Sequence, residues 1–205
     1  MFLVAGIVPD ALSNLPLLFS LTITKTPITK MTEKIASLGR LEMLTVDNCE
    51  LTEMPSLYGL SKLYTVSLSN NRLSKLEGLM SVRRLSLYKN LFTEMPTQTE
   101  PEKLRTLDMN YNPVRSLPDC TLYGNLTSIR LSNTQVAVIP SNIDEIEYLS
   151  FLDLSFTKIS EVPNTIFKLP VLQYLVIQGN AFSTEEVNNI KTVFKAQRPD
   201  IQLLI

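Results

Sequence analysis

Apolar residues along the chain return in one spacing, L-x-x-L-x-L-x-x-(N/C/T)-x-L. It is met at residues 18–28 (LFSLTITKTPI), 41–51 (LEMLTVDNCEL), 63–73 (LYTVSLSNNRL) and 82–92 (VRRLSLYKNLF). It continues at 104–114 (LRTLDMNYNPV), 126–136 (LTSIRLSNTQV), 149–159 (LSFLDLSFTKI) and 172–182 (LQYLVIQGNAF). The starts are 23, 22, 19, 22, 22, 23 and 23 residues apart, so the chain is a repeat array. Within each unit the x-L-x-L alternation has period two, which predicts a short strand with its leucines inward. One such strand cannot bury its own apolar face. Stacking the repeats in parallel builds a continuous core instead. The ninth position is small and polar: Thr26, Cys49, Asn71, Asn90, Asn112, Thr134, Thr157 and Asn180. These side chains are expected to point inward and hydrogen-bond the backbone of the turns, with a less regular ladder where Thr or Cys replaces Asn.

On these repeats the chain resembles the leucine-rich repeat family over nearly all of its length. Two 23-residue repeats carry that family's Pro-containing second half, Ile139-Pro140 followed by Ile143 and Ile146, and Val162-Pro163 followed by Ile166 and Leu169. The third repeat has only 19 residues and no Pro, which predicts a tighter outer arc. The resemblance implies an α/β repeat solenoid. It would be a curved, right-handed horseshoe with a parallel β-sheet on the concave face and irregular or 3₁₀ segments on the convex side.

The two ends differ. Ser183 and Glu186 form a capping-box pattern before Val187, Ile190, Val193 and Phe194, an apolar face at helical spacing. Arg198-Pro199 stops that helix, and the apolar tail 201–205 follows. Helix and tail together read as the cap that a terminal repeat needs. At the other end Val8-Pro9, Leu12 and Leu15 match the second half of a repeat. Either residues 1–5 improvise a cap, or the piece comes from a longer chain. The expected organisation is one domain over 1–205: a partial repeat at 1–17, eight repeats at 18–182 and a capping segment at 183–205.

Composition narrows the chemistry. The chain has 205 residues, 44% hydrophobic and 19% charged, ample for a core. A formal net charge of −1 argues against a nucleic-acid partner, which calls for surplus Lys and Arg. There is no histidine, so the commonest general base and metal ligand is missing. Six scattered glycines make no phosphate loop, and the two cysteines fit no zinc spacing. No cofactor or metal is expected. No stretch is long and apolar enough to span a membrane, and the start lacks a basic n-region. Cys49 and Cys120 lie three repeats apart, roughly 14 Å at the usual strand spacing, too far for a disulfide, so two free thiols are expected. Asn125-Leu-Thr127 is a glycosylation triplet that reads as a chance occurrence beside a strand.

The fifth position should face outward on the sheet: Thr22, Thr45, Ser67, Ser86, Asp108, Arg130, Asp153 and Val176. Asp108 and Asp153 sit two strands apart, about 9–10 Å, near the separation of an inverting glycosidase pair. Arg130 between them should hold both ionised, which is wrong for a general acid. The outward side chains should come from positions 2, 3, 5, 7 and 8, and these change character along the chain. The first three repeats give small, mostly polar sets. From the fourth onward they collect Arg84, Tyr88, Lys89, Asp108, Asn110, Tyr111, Arg130, Phe151, Asp153, Phe156 and Tyr174. Aromatics and Arg dominate interface hot spots. The resemblance adds that such domains are mostly binding modules using the concave face. The expectation is a noncatalytic recognition module, a monomer, that binds a protein partner through repeats four to eight. The alternatives are a carbohydrate-binding or processing surface, or a scaffold segment of a larger multidomain protein. The repeat type leans to a bacterial secreted or cell-surface setting, with the cytosol left open.

Overall fold

The computed structural model describes residues 6–205, so the cap expected at 1–5 lies outside the described residues. The chain divides after Leu104 into two compact units. Both are repeat solenoids, with a parallel sheet on one side and turns or 3₁₀ segments returning on the other.

In the first unit the strands are β1 (Ser20–Thr24), β2 (Met43–Asp47), β3 (Thr65–Ser67) and β4 (Arg84–Ser86), each paired in parallel with the next. The alternation holds: Leu44, Val46, Val66 and Leu85 are buried, while Met43, Thr45 and Asp47 stand on the sheet face. 3₁₀ segments at Asp10–Asn14 and Glu33–Ser37 return the chain, with Leu12 and Ile35 turned into the core. Parallel bridges from Ile7 to Lys30 and from Lys30 to Glu53 place the first described residues as the second half of a repeat. Leu15 departs from that pattern and is exposed. The short third repeat has no 3₁₀ turn. Its Gly78 has φ +78° and lies so close to its neighbour that an added Cβ would sit 2.4 Å from the Tyr58 nitrogen. Only glycine fits both demands.

The second unit holds β5 (Thr106–Asp108), β6 (Ser128–Arg130), β7 (Phe151–Asp153), β8 (Tyr174–Val176) and β9 (Gln202–Leu204), again parallel. Helix α1 (Thr184–Gln197) begins at the expected capping box. The Ser183 hydroxyl accepts from Glu186 N at 3.2 Å, and the Glu186 carboxylate accepts from Ser183 N at 2.6 Å. The apolar tail does more than cover the core, because it adds β9 to the sheet. Arg198 holds that ending in place. Its guanidinium donates to the carbonyls of Phe167 (3.2 Å), Leu169 (2.7 Å) and Leu172 (3.3 Å), and to the Asp200 carboxylate at 2.8 Å.

The ninth position forms the inward ladder. Asn71 Nδ2 donates to Val46 O (2.7 Å) and Leu68 O (3.0 Å), and its Oδ1 accepts from Leu51 N (3.1 Å). Asn90 repeats this with Leu68 O, Leu87 O and Leu73 N. Thr134 and Cys49 span less: Thr134 Oγ1 donates to Leu131 O within its own turn, and Cys49 Sγ reaches Asp47 O at 3.4 Å and Ile23 O only at 4.0 Å. The asparagines therefore tie successive repeats together where Thr134 ties only its own turn.

Candidate functional site

Strand register builds the sheet face of the second unit in rows. Ser128, Phe151, Tyr174 and Gln202 lie side by side across β6 to β9. The adjacent row runs Asp108, Arg130, Asp153, Val176 and Leu204. In the first row the Phe151 and Tyr174 rings lie 5.9 Å apart at 40°. Arg130 crosses from its own row, setting its guanidinium 4.6 Å over the Phe151 ring and donating to Ser128 Oγ at 3.1 Å. Arg130, Phe151 and Tyr174 thus form one continuous cation and aromatic surface. A cation over a ring is favourable, and the ring also holds the guanidinium flat and pre-oriented.

Arg130 makes no ion pair with either flanking aspartate among the described residues. Asp153 turns back on its own strand, accepting from Ser155 N at 2.9 Å and Ser155 Oγ at 2.7 Å. Asp108 accepts from Asn110 N at 3.0 Å. At Asp108 the Arg130 charge acts in the expected direction but is outweighed. Burial pushes the Asp108 pKa up, outweighing the Asn110 amide and the Arg130 charge, and Asp153 adds to the rise. Val176 keeps its place in this row but is buried rather than solvent-exposed.

The eighth position carries a feature that strand periodicity does not reveal. Lys25, Asn48, Asn70, Lys89, Tyr111, Asn133 and Phe156 all have φ between 52° and 56°, and Gly179 completes the series at 70°. The signal available in sequence was Asn48, Asn70, Asn133 and Gly179, the residue types that tolerate this region. An aromatic residue there costs about 1–2 kcal/mol. The strained turn holds each ring out from the strand end: Tyr111 is 49% exposed and Phe156 54%. Gly179, which sequence reasoning passed over, is required by Phe156. A Cβ on Gly179 would lie 2.5 Å from the Phe156 ring, so the ring rests on bare backbone. Asn110 is half-buried and reaches sideways to the next repeat, its Oδ1 accepting from Ser132 N at 2.6 Å, which makes it more a stacking contact than a free surface group. Tyr174 is 38% exposed and Phe151 is half-buried. On the first unit, Arg84 and Lys89 are exposed and Tyr88 half-buried, its carbonyl accepting from Asn70 N at 2.7 Å.

Among the described residues no group of three or more His, Cys, Asp and Glu is placed to hold a metal ion, and no helix is long and apolar enough to cross a membrane. Cys49 and Cys120 are free and buried. Burial raises both thiols, Cys120 to about 11 with Glu145 and Asp119 adding to the rise. At pH 8 only about 0.1% of the Cys120 thiol is then the reactive thiolate. Ellman's reagent should leave Cys120 unlabelled in the folded protein at pH 8 and titrate both thiols in denaturant. Rapid native labelling of Cys120 would contradict its burial. Thr127 of the glycosylation triplet is a stacking residue, donating its hydroxyl to Arg105 O at 2.9 Å beside buried Leu126.

No family model matches the chain. Rabbit (Oryctolagus cuniculus) lumican is 31% identical over 144 residues, spanning 65% of this chain and 74% of that sequence. The rat (Rattus norvegicus) leucine-rich repeat-containing G-protein coupled receptor 5 is 29% identical over 152 residues, 70% of this chain and 16% of the receptor. Human lumican is covered to 42% of its length, so the chain spans less than half of that relative. Among solved structures, a Leptospira interrogans leucine-rich repeat protein superposes with TM-score 0.76 at 23% identity, over 98% of this chain and 58% of that one. A Shigella effector leucine-rich repeat domain gives 0.73 at 20%, over 95% and 84%.

Proposed function

The chain belongs to the leucine-rich repeat family, and on that premise we propose that it is a noncatalytic module, one repeat domain and a monomer, that recognises a protein partner through its sheet face. On the second unit the contact residues are Asp108, Asn110, Tyr111, Arg130, Phe151, Asp153, Phe156 and Tyr174. On the first unit Arg84, Tyr88 and Lys89 are assigned to partner contact in their own right. The observation that carries this reading is the pair of exposed aromatic rings, Tyr111 and Phe156, held at left-handed backbone positions. Asn or Gly would be more stable there, so the rings have a cost in folding that a contact role explains. The Arg130, Phe151 and Tyr174 surface beside them is of the kind that anchors protein interfaces. The repeat type favours a bacterial secreted or cell-surface setting, and the Shigella effector domain shares the fold.

The test is a pull-down from surface extracts with the intact chain beside a Tyr111→Ala/Phe156→Ala double variant. A protein retained by the first and lost by the second is expected. A Tyr111→Asn/Phe156→Asn variant separates binding from folding. It should lose the partner equally while melting at or above the parent temperature, since Asn suits the left-handed positions. Equal retention by all three would place the contact elsewhere.

A further inference from the structure

On the turn side of the first unit, the short third repeat leaves a notch that the sheet face does not use. Its neighbours both contain the segment Thr-Glu-Met-Pro, at 52–55 and at 93–96, and the third repeat has no counterpart. Its arc is therefore lower than the arcs on either side. Two cavities, of about 350 and 380 Å³, flank residues 74–77, which form a floor common to both. Met54 lines one wall and Met95 the other, over Leu76 and Phe92, which are buried beneath. The floor is pinned on both sides. Leu57 N donates to Glu77 O at 3.0 Å, Gly78 packs against the Tyr58 backbone, and Thr99 N and Glu100 N donate to Leu79 O and Met80 O. The notch is thus preformed.

Its rim is acidic. Glu53, Glu77 and Glu94 are exposed around it, against Lys75 as the one ammonium among the lining residues. Lys30 pairs with Glu53 from outside the notch, which leaves Glu77 and Glu94 as the carboxylates best placed to meet a ligand's charge. Thioether side chains are polarisable and adapt their shape to an apolar guest. The two walls stand two repeats apart, about 10 Å, the length of roughly three extended residues.

We propose that this notch is a second binding site, for an extended protein segment that presents a Lys or Arg beside an apolar side chain. The cation lies between Glu77 and Glu94, and the apolar group packs against Met54 or Met95. The charge of the rim selects this occupant over an anionic segment, and the preformed floor spares the chain a reorganisation cost on binding.

The experiment uses the full chain labelled with ¹³C at its methionine methyl groups, titrated with the blocked hexapeptide Lys-Leu-Lys-Met-Lys-Leu. Its counterpart with Glu in place of Lys is the control. Saturable shifts of the Met54 and Met95 resonances with the basic peptide are expected, with Met109 of the second unit unmoved. The Glu77→Lys/Glu94→Lys variant changes only exposed side chains and should bind at least tenfold more weakly. The proposal is overturned if Met54 and Met95 stay unmoved at millimolar basic peptide. Equal shifts with the acidic peptide, or unchanged affinity in the charge-reversed variant, overturn it as well.

Discussion

Replacing Asn90 by alanine should destabilise the protein by about 3 kcal/mol. The side chain is 5% exposed and links three backbone groups of two repeats, donating to Leu68 O and Leu87 O and accepting from Leu73 N. Alanine takes the acceptor from buried Leu73 N and a donor from Leu68 O, which keeps Asn71, and a buried group left unsatisfied costs about 1–3 kcal/mol. For a chain of this length the melting temperature should fall by about 6–12 °C, read by circular dichroism. Asn90→Thr should lose less. Thr134 and Thr157 occupy the same position and each keeps a bond to a carbonyl of its own turn, Leu131 O and Leu154 O. An alanine variant as stable as the parent would mean that water, not Asn90, satisfies those groups.

Arg198→Ala should cost about as much, and its effect should be confined to the end of the second unit. The guanidinium is only 16% exposed and closes on three carbonyls that the 3₁₀ segment Asn164–Lys168 and the following turn leave open. Hydrogen bonds to a charged group are worth about 1.5–3 kcal/mol each, and α1 and β9 are held through this side chain. Amide exchange should therefore speed up at Ile177 and Gln202, whose bonds to Leu204 O and Gln173 O join β8 and β9. Amides of β5 and β6 should keep their protection. Arg198→Lys should recover little, because one ammonium cannot span three carbonyls in a fork. Asp200 orients the guanidinium from outside, and the hydrogen bond from Arg198 holds its carboxyl below the ordinary aspartate range. That contact is complete above the ordinary pKa and lost as the pH falls through the lowered one. Uniform loss of protection through the whole unit would show that Arg198 supports the global fold rather than its end.

The repeats were legible because their physics is local and periodic. Leucine at alternate positions defines an inward strand face, and inward Asn71 and Asn90 follow from the need to satisfy buried turns. The capping box at Ser183 and Glu186 was equally plain, since both partners lie within one helical turn. β9 was not legible. The tail 201–205 lacks the repeat's spacing, and it becomes a strand only because Arg198 and α1 deliver it to the open edge of β8. The candidate surface was readable as a set of residues but not as an arrangement. Register alone suggested a ladder of alternating charges through Asp108, Arg130 and Asp153. In the folded protein, ring contact and Ser128 draw Arg130 into the neighbouring row, and Asp153 is satisfied by Ser155 instead.

By itself, then, the sequence determined the solenoid, its strand faces, its polar ladder and the place where one arc is short, because each depends on spacing along the chain. Tertiary structure alone decided the rest of Phe156 on Gly179, the clasp of Arg198 and the walls of the notch. Those features arise between neighbouring repeats, where the position of each group is set by a partner some twenty to thirty residues away.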